Sequence, residues 1–103
     1  MSKERIKMLE QWIKEDPSDP FNKYGLALEL QASNNIKADA LFNELLEVHA
    51  DYIPTYYTAA NFYMDDNEPK AIQILEKGIE LAKEQGNDKA KRELQSLLDQ
   101  LSF

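Results

Sequence analysis

A chain of 103 residues is about one domain long and can close a core without a metal or a disulfide, and with no cysteine it offers neither thiolate ligands nor redox chemistry. Its formal charge of −7 lies entirely in the middle: residues 24–69 hold eight acids against Lys37 alone, while residues 1–23 carry five of each sign and residues 70–103 six of each. An acidic waist repels phosphate backbones and anionic lipid, which excludes nucleic acid and membrane surfaces as partners. No apolar run approaches the roughly 18 residues of a membrane span, and Met1-Ser2-Lys3-Glu4 leads directly into a charged stretch, so a cytoplasmic protein with no membrane contact is expected.

In chain order, Ile6, Leu9 and Ile13 fall at three- and four-residue steps and predict a one-faced helix over 3–15, which ends at Asp16-Pro17-Ser18-Asp19-Pro20. A second helix, over 19–32, carries Pro20 in its first turn, where the missing N–H costs nothing, and stops at Ser33-Asn34-Asn35. A third runs over 36–49 to the turn between Asp51 and Pro54. A fourth, over 53–65, again has a first-turn proline, Pro54. Asn67 is a good N-cap with Pro69 just behind it, which starts a fifth helix over 68–85. Gly86 suits the left-handed conformation that ends a helix, and Asn87 can cap the sixth, over 88–101, whose Leu94, Leu97, Leu98 and Leu101 share one face. No segment alternates as a strand. Helices this short are marginal alone, so packing must stabilise them.

The same pattern recurs at a spacing of 33 residues: Tyr24, Ala27, Leu30, Ala38, Phe42 and Leu46 return as Tyr57, Ala60, Tyr63, Ala71, Leu75 and Ile79. Leu9, Trp12, Ile13 and Pro17 likewise return as Phe42, Leu45, Leu46 and Ala50. A period between about 20 and 50 residues signals stacked repeats, an architecture that makes binding surfaces.

The stretches Phe21–Ala50 and Pro54–Lys83 resemble the tetratricopeptide repeat, a helix-turn-helix unit. The resemblance rests on a small residue midway along the first helix (Ala27, Ala60), a large apolar one three positions on (Leu30, Tyr63), an alanine opening the second helix (Ala38, Ala71) and a bulky apolar residue after it (Phe42, Leu75). Both copies lack one residue in the internal turn, which explains a period of 33 in place of the family's usual, slightly longer one. An early aromatic of the unit is Tyr56 in the second copy and Lys23 in the first. The resemblance implies an all-α fold, an α-α superhelix of about six antiparallel helices in a single domain spanning 1–103. Residues 3–17 would be a leading half repeat, 18–50 repeat one, 51–85 repeat two and 88–101 the capping helix. Polar outer faces, Lys3, Lys7, Glu10 and Lys14 at one end and Lys91, Arg92, Gln95 and Asp99 at the other, suit two end caps.

Chemistry-bearing residues do not converge. His49 is the sole histidine, without a partner at metal-ligand spacing, and its place near a helix C-terminus suits the helix dipole. Ser2, Ser18, Ser33, Ser96 and Ser102 lie in turns, ends or the last helix, with no nucleophile elbow. Asp65-Asp66-Asn67-Glu68 has the acids of a calcium loop but Lys70 where that loop needs glycine. Gly25, Gly78 and Gly86 never cluster as a phosphate cradle. Trp12 shares its register with Leu45 and Gly78, where a second helix touches its neighbour, so it reads as packed core and not as a ligand platform. No enzyme, cofactor or metal is expected.

In the resembled family, first helices line a concave groove. Here that groove would present Phe21, Tyr24, Leu28 and Gln31, then Pro54, Tyr57, Asn61 and Met64, with Lys91 and Gln95 from the last helix. Tyrosine and methionine suit adaptable recognition of a peptide. The family's carboxylate clamp is not reproduced, because Tyr24, Leu28 and Tyr57 stand where polar groups would be needed. The expected partner is another protein offering an apolar or basic-apolar segment. The alternative is a structural homodimer closed over the same tyrosines.

Overall fold

Turn chemistry at a few positions sets the helix boundaries. A computed structural model describes residues 3–101, which form six helices and no strand: α1 (Lys3–Glu15), α2 (Pro20–Leu30), α3 (Asn35–Val48), α4 (Pro54–Tyr63), α5 (Glu68–Gln85) and α6 (Asp88–Leu101). Side chains of Asp19, Asn34, Asn67 and Asn87 accept from the backbone N–H of Phe21, Lys37, Lys70 and Ala90 at 3.0, 3.2, 3.3 and 3.0 Å, each satisfying a donor that a helix start leaves orphaned. Gly86 has φ 67°, the left-handed value, and ends α5 with two bonds: its own N–H donates to the Lys83 carbonyl at 3.1 Å and that of Asn87 to Ala82 at 2.9 Å. α2 stops two residues short of its expected end because Ser33 N–H closes a tight turn onto Leu30 O at 3.1 Å.

The helices fall into two compact units, residues 1–52 and 53–103. In the first, α2 packs against both α1 and α3. Leu9, Leu26, Ala27, Leu30, Phe42 and Leu45 form its core, and Gly25 lets α1 come close: a Cβ there would lie 3.3 Å from Leu9 Cδ2. Arg5 Nε donates to Glu29 Oε1 at 2.7 Å across α1 and α2. In the second unit, α5 packs against both α4 and α6, and α4 also touches α6. Gly78 is the close point: a Cβ there would stand 2.9 Å from Tyr56 Cβ and 3.1 Å from Leu94 Cδ1. Lys70 Nζ lies 4.2 Å from the Tyr63 ring centroid, and Phe62 meets that ring edge-on at 5.0 Å.

The alanine positions of the repeat and the bulky residue after the second alanine behave alike in both units. Ala27, Ala38 and Phe42 in one, and Ala60, Ala71 and Leu75 in the other, are fully buried. Small residues at the crossings allow close helix approach, and one bulky residue fills the space between.

Two expectations need correction. Trp12 is not enclosed: it is 39% exposed, and Met8, one turn before it, is 50% exposed. In the same register Leu45 is fully buried and Gly78 is pressed between Tyr56 and Leu94, whereas α1 packs chiefly against α2. The outer side of α1 is therefore part apolar, not the wholly polar cap expected from Lys3, Lys7, Glu10 and Lys14.

Candidate functional site

The second unit carries the more complete candidate surface. Tyr57 on α4 is 44% exposed, and its carbonyl accepts from the amide of exposed Asn61, one turn on, at 3.2 Å. Pro54, at the start of the same helix, is exposed, while Met64 at its end is half-buried. A depression of about 420 Å³ runs along α6, lined by Asp88, Lys91, Arg92, Gln95, Ser96 and Asp99. Lys91 and Gln95, both expected from sequence, lie in it. The Gln95 amide donates to Asp99 Oδ1 at 2.9 Å, so it is pre-oriented. Two cations stand between acids at either end, which gives a surface for polar or charged groups.

In the first unit, α2 presents Phe21, 65% exposed, and Leu28 two turns later, also exposed. Gln31 is half-buried at the end of that helix. Tyr24 turns partly inward and meets the Tyr52 ring edge-on at 5.8 Å. Burial raises the Tyr52 phenol above the ordinary tyrosine value, with smaller contributions in the same direction from Tyr24 and Asp19.

His49 requires correction too. It is buried at the end of α3, and Lys23 Nζ, itself only 5% exposed, donates to His49 Nε2 at 3.1 Å and to Glu44 Oε2 at 2.7 Å. An ammonium has no acceptor capacity, so the bond requires a neutral imidazole with its proton on Nδ1. The sequence carried a signal for this cluster. Lys23 is 33 residues before Tyr56, a buried core position of the other copy, and a lysine in such a register needs partners. Among the described residues no group of three His, Cys, Asp or Glu side chains is arranged to hold a metal ion. Ser18, Ser33 and Ser96 lie far apart in the chain, in a turn after α1, a turn after α2 and on α6, while Ser2 and Ser102 lie outside the described residues.

Helical pairs repeated in register, with alanines at the crossings and exposed apolar and aromatic side chains on the first helices, define a helix-turn-helix repeat protein. Solved structures narrow this. A solution NMR structure of a tetratricopeptide repeat domain protein from Salinibacter ruber is 40% identical, with a TM-score of 0.78, over 84% of this chain and 90% of its own. A crystal structure of a tetratricopeptide repeat domain protein from the same organism is 41% identical, with a TM-score of 0.74, over 81% of this chain and 94% of its own. No family model and no curated protein sequence matches the chain. At that identity and coverage the chain belongs to the tetratricopeptide repeat family, and its fold is that of a protein-interaction module. No described helix is long and apolar enough to cross a membrane.

Proposed function

We propose that the protein is a non-enzymatic, cytoplasmic interaction module that takes an apolar or basic-apolar segment of a partner protein on the exposed face of its first helices. The observation that carries this is the surface of the second unit: an exposed Tyr57 beside Asn61 on α4, and on α6 the depression holding Lys91 and Gln95. Tyrosine buries a large area with little rotamer entropy to lose, so it is the natural anchor. The asparagine amide and Gln95 supply the donors and acceptors that a peptide backbone needs. Phe21 and Leu28 give α2 an apolar face of the same character. The acidic middle of the chain, eight acids against Lys37, favours a segment that adds a positive charge to its apolar side chains.

The test is affinity capture from native extract with wild type beside a Tyr57→Ala/Asn61→Ala variant, followed by titration of whichever protein distinguishes the two. Tyr57→Ala alone is expected to weaken that complex by about 1–3 kcal/mol, the range of a buried aromatic anchor, with an unchanged helical spectrum. Equal capture by both proteins removes this face from consideration.

A further inference from the structure

We propose that α1 is a self-association surface through which two copies of this chain pair antiparallel, Met8 of one against Trp12 of the other. The packing of the second unit shows what the register of Trp12 accepts. There α5 is held between two helices, with Tyr56 of α4 and Leu94 of α6 both against Gly78. α1 stands to α2 as α5 stands to α6, and Trp12 occupies the register of Gly78. No described helix stands where α4 stands over α5, and the two large side chains on that side, Met8 and Trp12, are left half and two-fifths open. The position is built for a helix.

The identity of that helix follows from the order of residues along the stripe. Arg5, Met8, Trp12 and Glu15 are spaced by three, four and three residues, so they share one face of α1 and read symmetrically about residue 10. Two such stripes laid antiparallel bring each Met8 to the other copy's Trp12 and each Arg5 to the other copy's Glu15. The ends thus match in charge as the centre matches in polarity. Thioether against indole is itself a favourable contact. Arg5 bonds Glu29 through Nε on one side while its side chain remains 55% exposed on the other, and a guanidinium has five donors to distribute. Glu4 and Asp16 meet as like charges at the rim, where both are exposed and water screens them. A contact of one helix per copy is smaller than the roughly 1,200 Å² of stable interfaces, so the dimer is a weak one. This surface is independent of Tyr57 and Asn61, and its failure would leave the proposed partner face standing.

Sedimentation velocity of the full chain from about 10 µM to 1 mM tests it, a range that spans weak association. The wild type is expected to move from monomer toward dimer, and Glu15→Arg, which sets arginine against Arg5 at both ends, to raise the dissociation constant about tenfold or more. Trp12→Glu is expected to abolish the dimer. Mixing Arg5→Glu with Glu15→Arg restores association, since the mixed pair is complementary at both ends. A wild type that stays monomeric throughout the range overturns the proposal and leaves the face to a different protein. So does a dimer that survives Glu15→Arg and Trp12→Glu, or a mixture of folded variants that fails to associate. Should Arg5→Glu not fold, the first two variants decide alone.

Discussion

Replacing Gly78 by alanine sets two opposed effects against each other inside one helix. Alanine is the better helix former by about 1 kcal/mol, so propensity alone makes Gly78→Ala stabilising. The structure reverses the sign. A Cβ at Gly78 would lie 2.9 Å from Tyr56 Cβ, an atom fixed to the α4 backbone, and 3.1 Å from both Tyr56 Cγ and Leu94 Cδ1. A Cβ cannot rotate away, so α4 must retreat from α5 by several tenths of an ångström, and overpacking of this kind costs about 1–3 kcal/mol. The net change is about 0–2 kcal/mol of destabilisation for alanine, and more for Gly78→Leu. Gly25 is the control. It also lies in a helix, but a Cβ there meets Leu9 Cδ2 at 3.3 Å, the rotatable end of a side chain that can swing aside. Gly25→Ala is therefore expected to keep most of the gain of about 1 kcal/mol. Guanidinium unfolding followed by circular dichroism measures both, and the midpoints should fall in the order Gly25→Ala, wild type, Gly78→Ala at unchanged slope. Stabilisation of Gly78→Ala equal to that of Gly25→Ala, or an unchanged melting temperature for Gly78→Leu, would refute the close contact between α4 and α5.

Thr55 on α4 is fully buried, and its hydroxyl finds no hydrogen-bond partner among the described residues. Thr55→Val keeps the shape and removes the orphaned hydroxyl, so it should stabilise by about 1 kcal/mol, read from the same unfolding curves. Glu44→Ala strips a buried lysine of its carboxylate and should cost about 1–3 kcal/mol. Adding Lys23→Met, which replaces the ammonium by an apolar side chain of similar length, should recover most of that loss, and a double variant no better than Glu44→Ala would deny the coupling. The Tyr52 phenol is held above the ordinary 10.0 by burial, so between that value and its own the folded chain retains a proton that the unfolded chain has released. Stability should accordingly fall as pH rises through 10.0 toward the raised value, and Tyr52→Phe should flatten that part of the slope. A wild-type slope identical to that of the variant would contradict the raised value.

The sequence by itself determined the helix boundaries to within two residues and which residues share a face. Asn34, Asn67, Asn87 and Gly86 act on backbone groups within a few positions of themselves, so their effect is local and legible without the fold. The 33-residue register likewise predicted that Ala27, Ala38, Phe42 and their counterparts would be buried, because each has the same neighbours in either copy. Register reports only the direction in which a side chain points. Whether a helix stands in that direction depends on segments remote in sequence, which is why Trp12 and Leu45, equivalent by pattern, differ as an open surface differs from a closed core. The same holds for His49. Its hydrogen-bond partner lies 26 residues away on α2, and only packing of α2 against α3 joins the buried imidazole and Lys23 ammonium to the exposed Glu44 carboxylate.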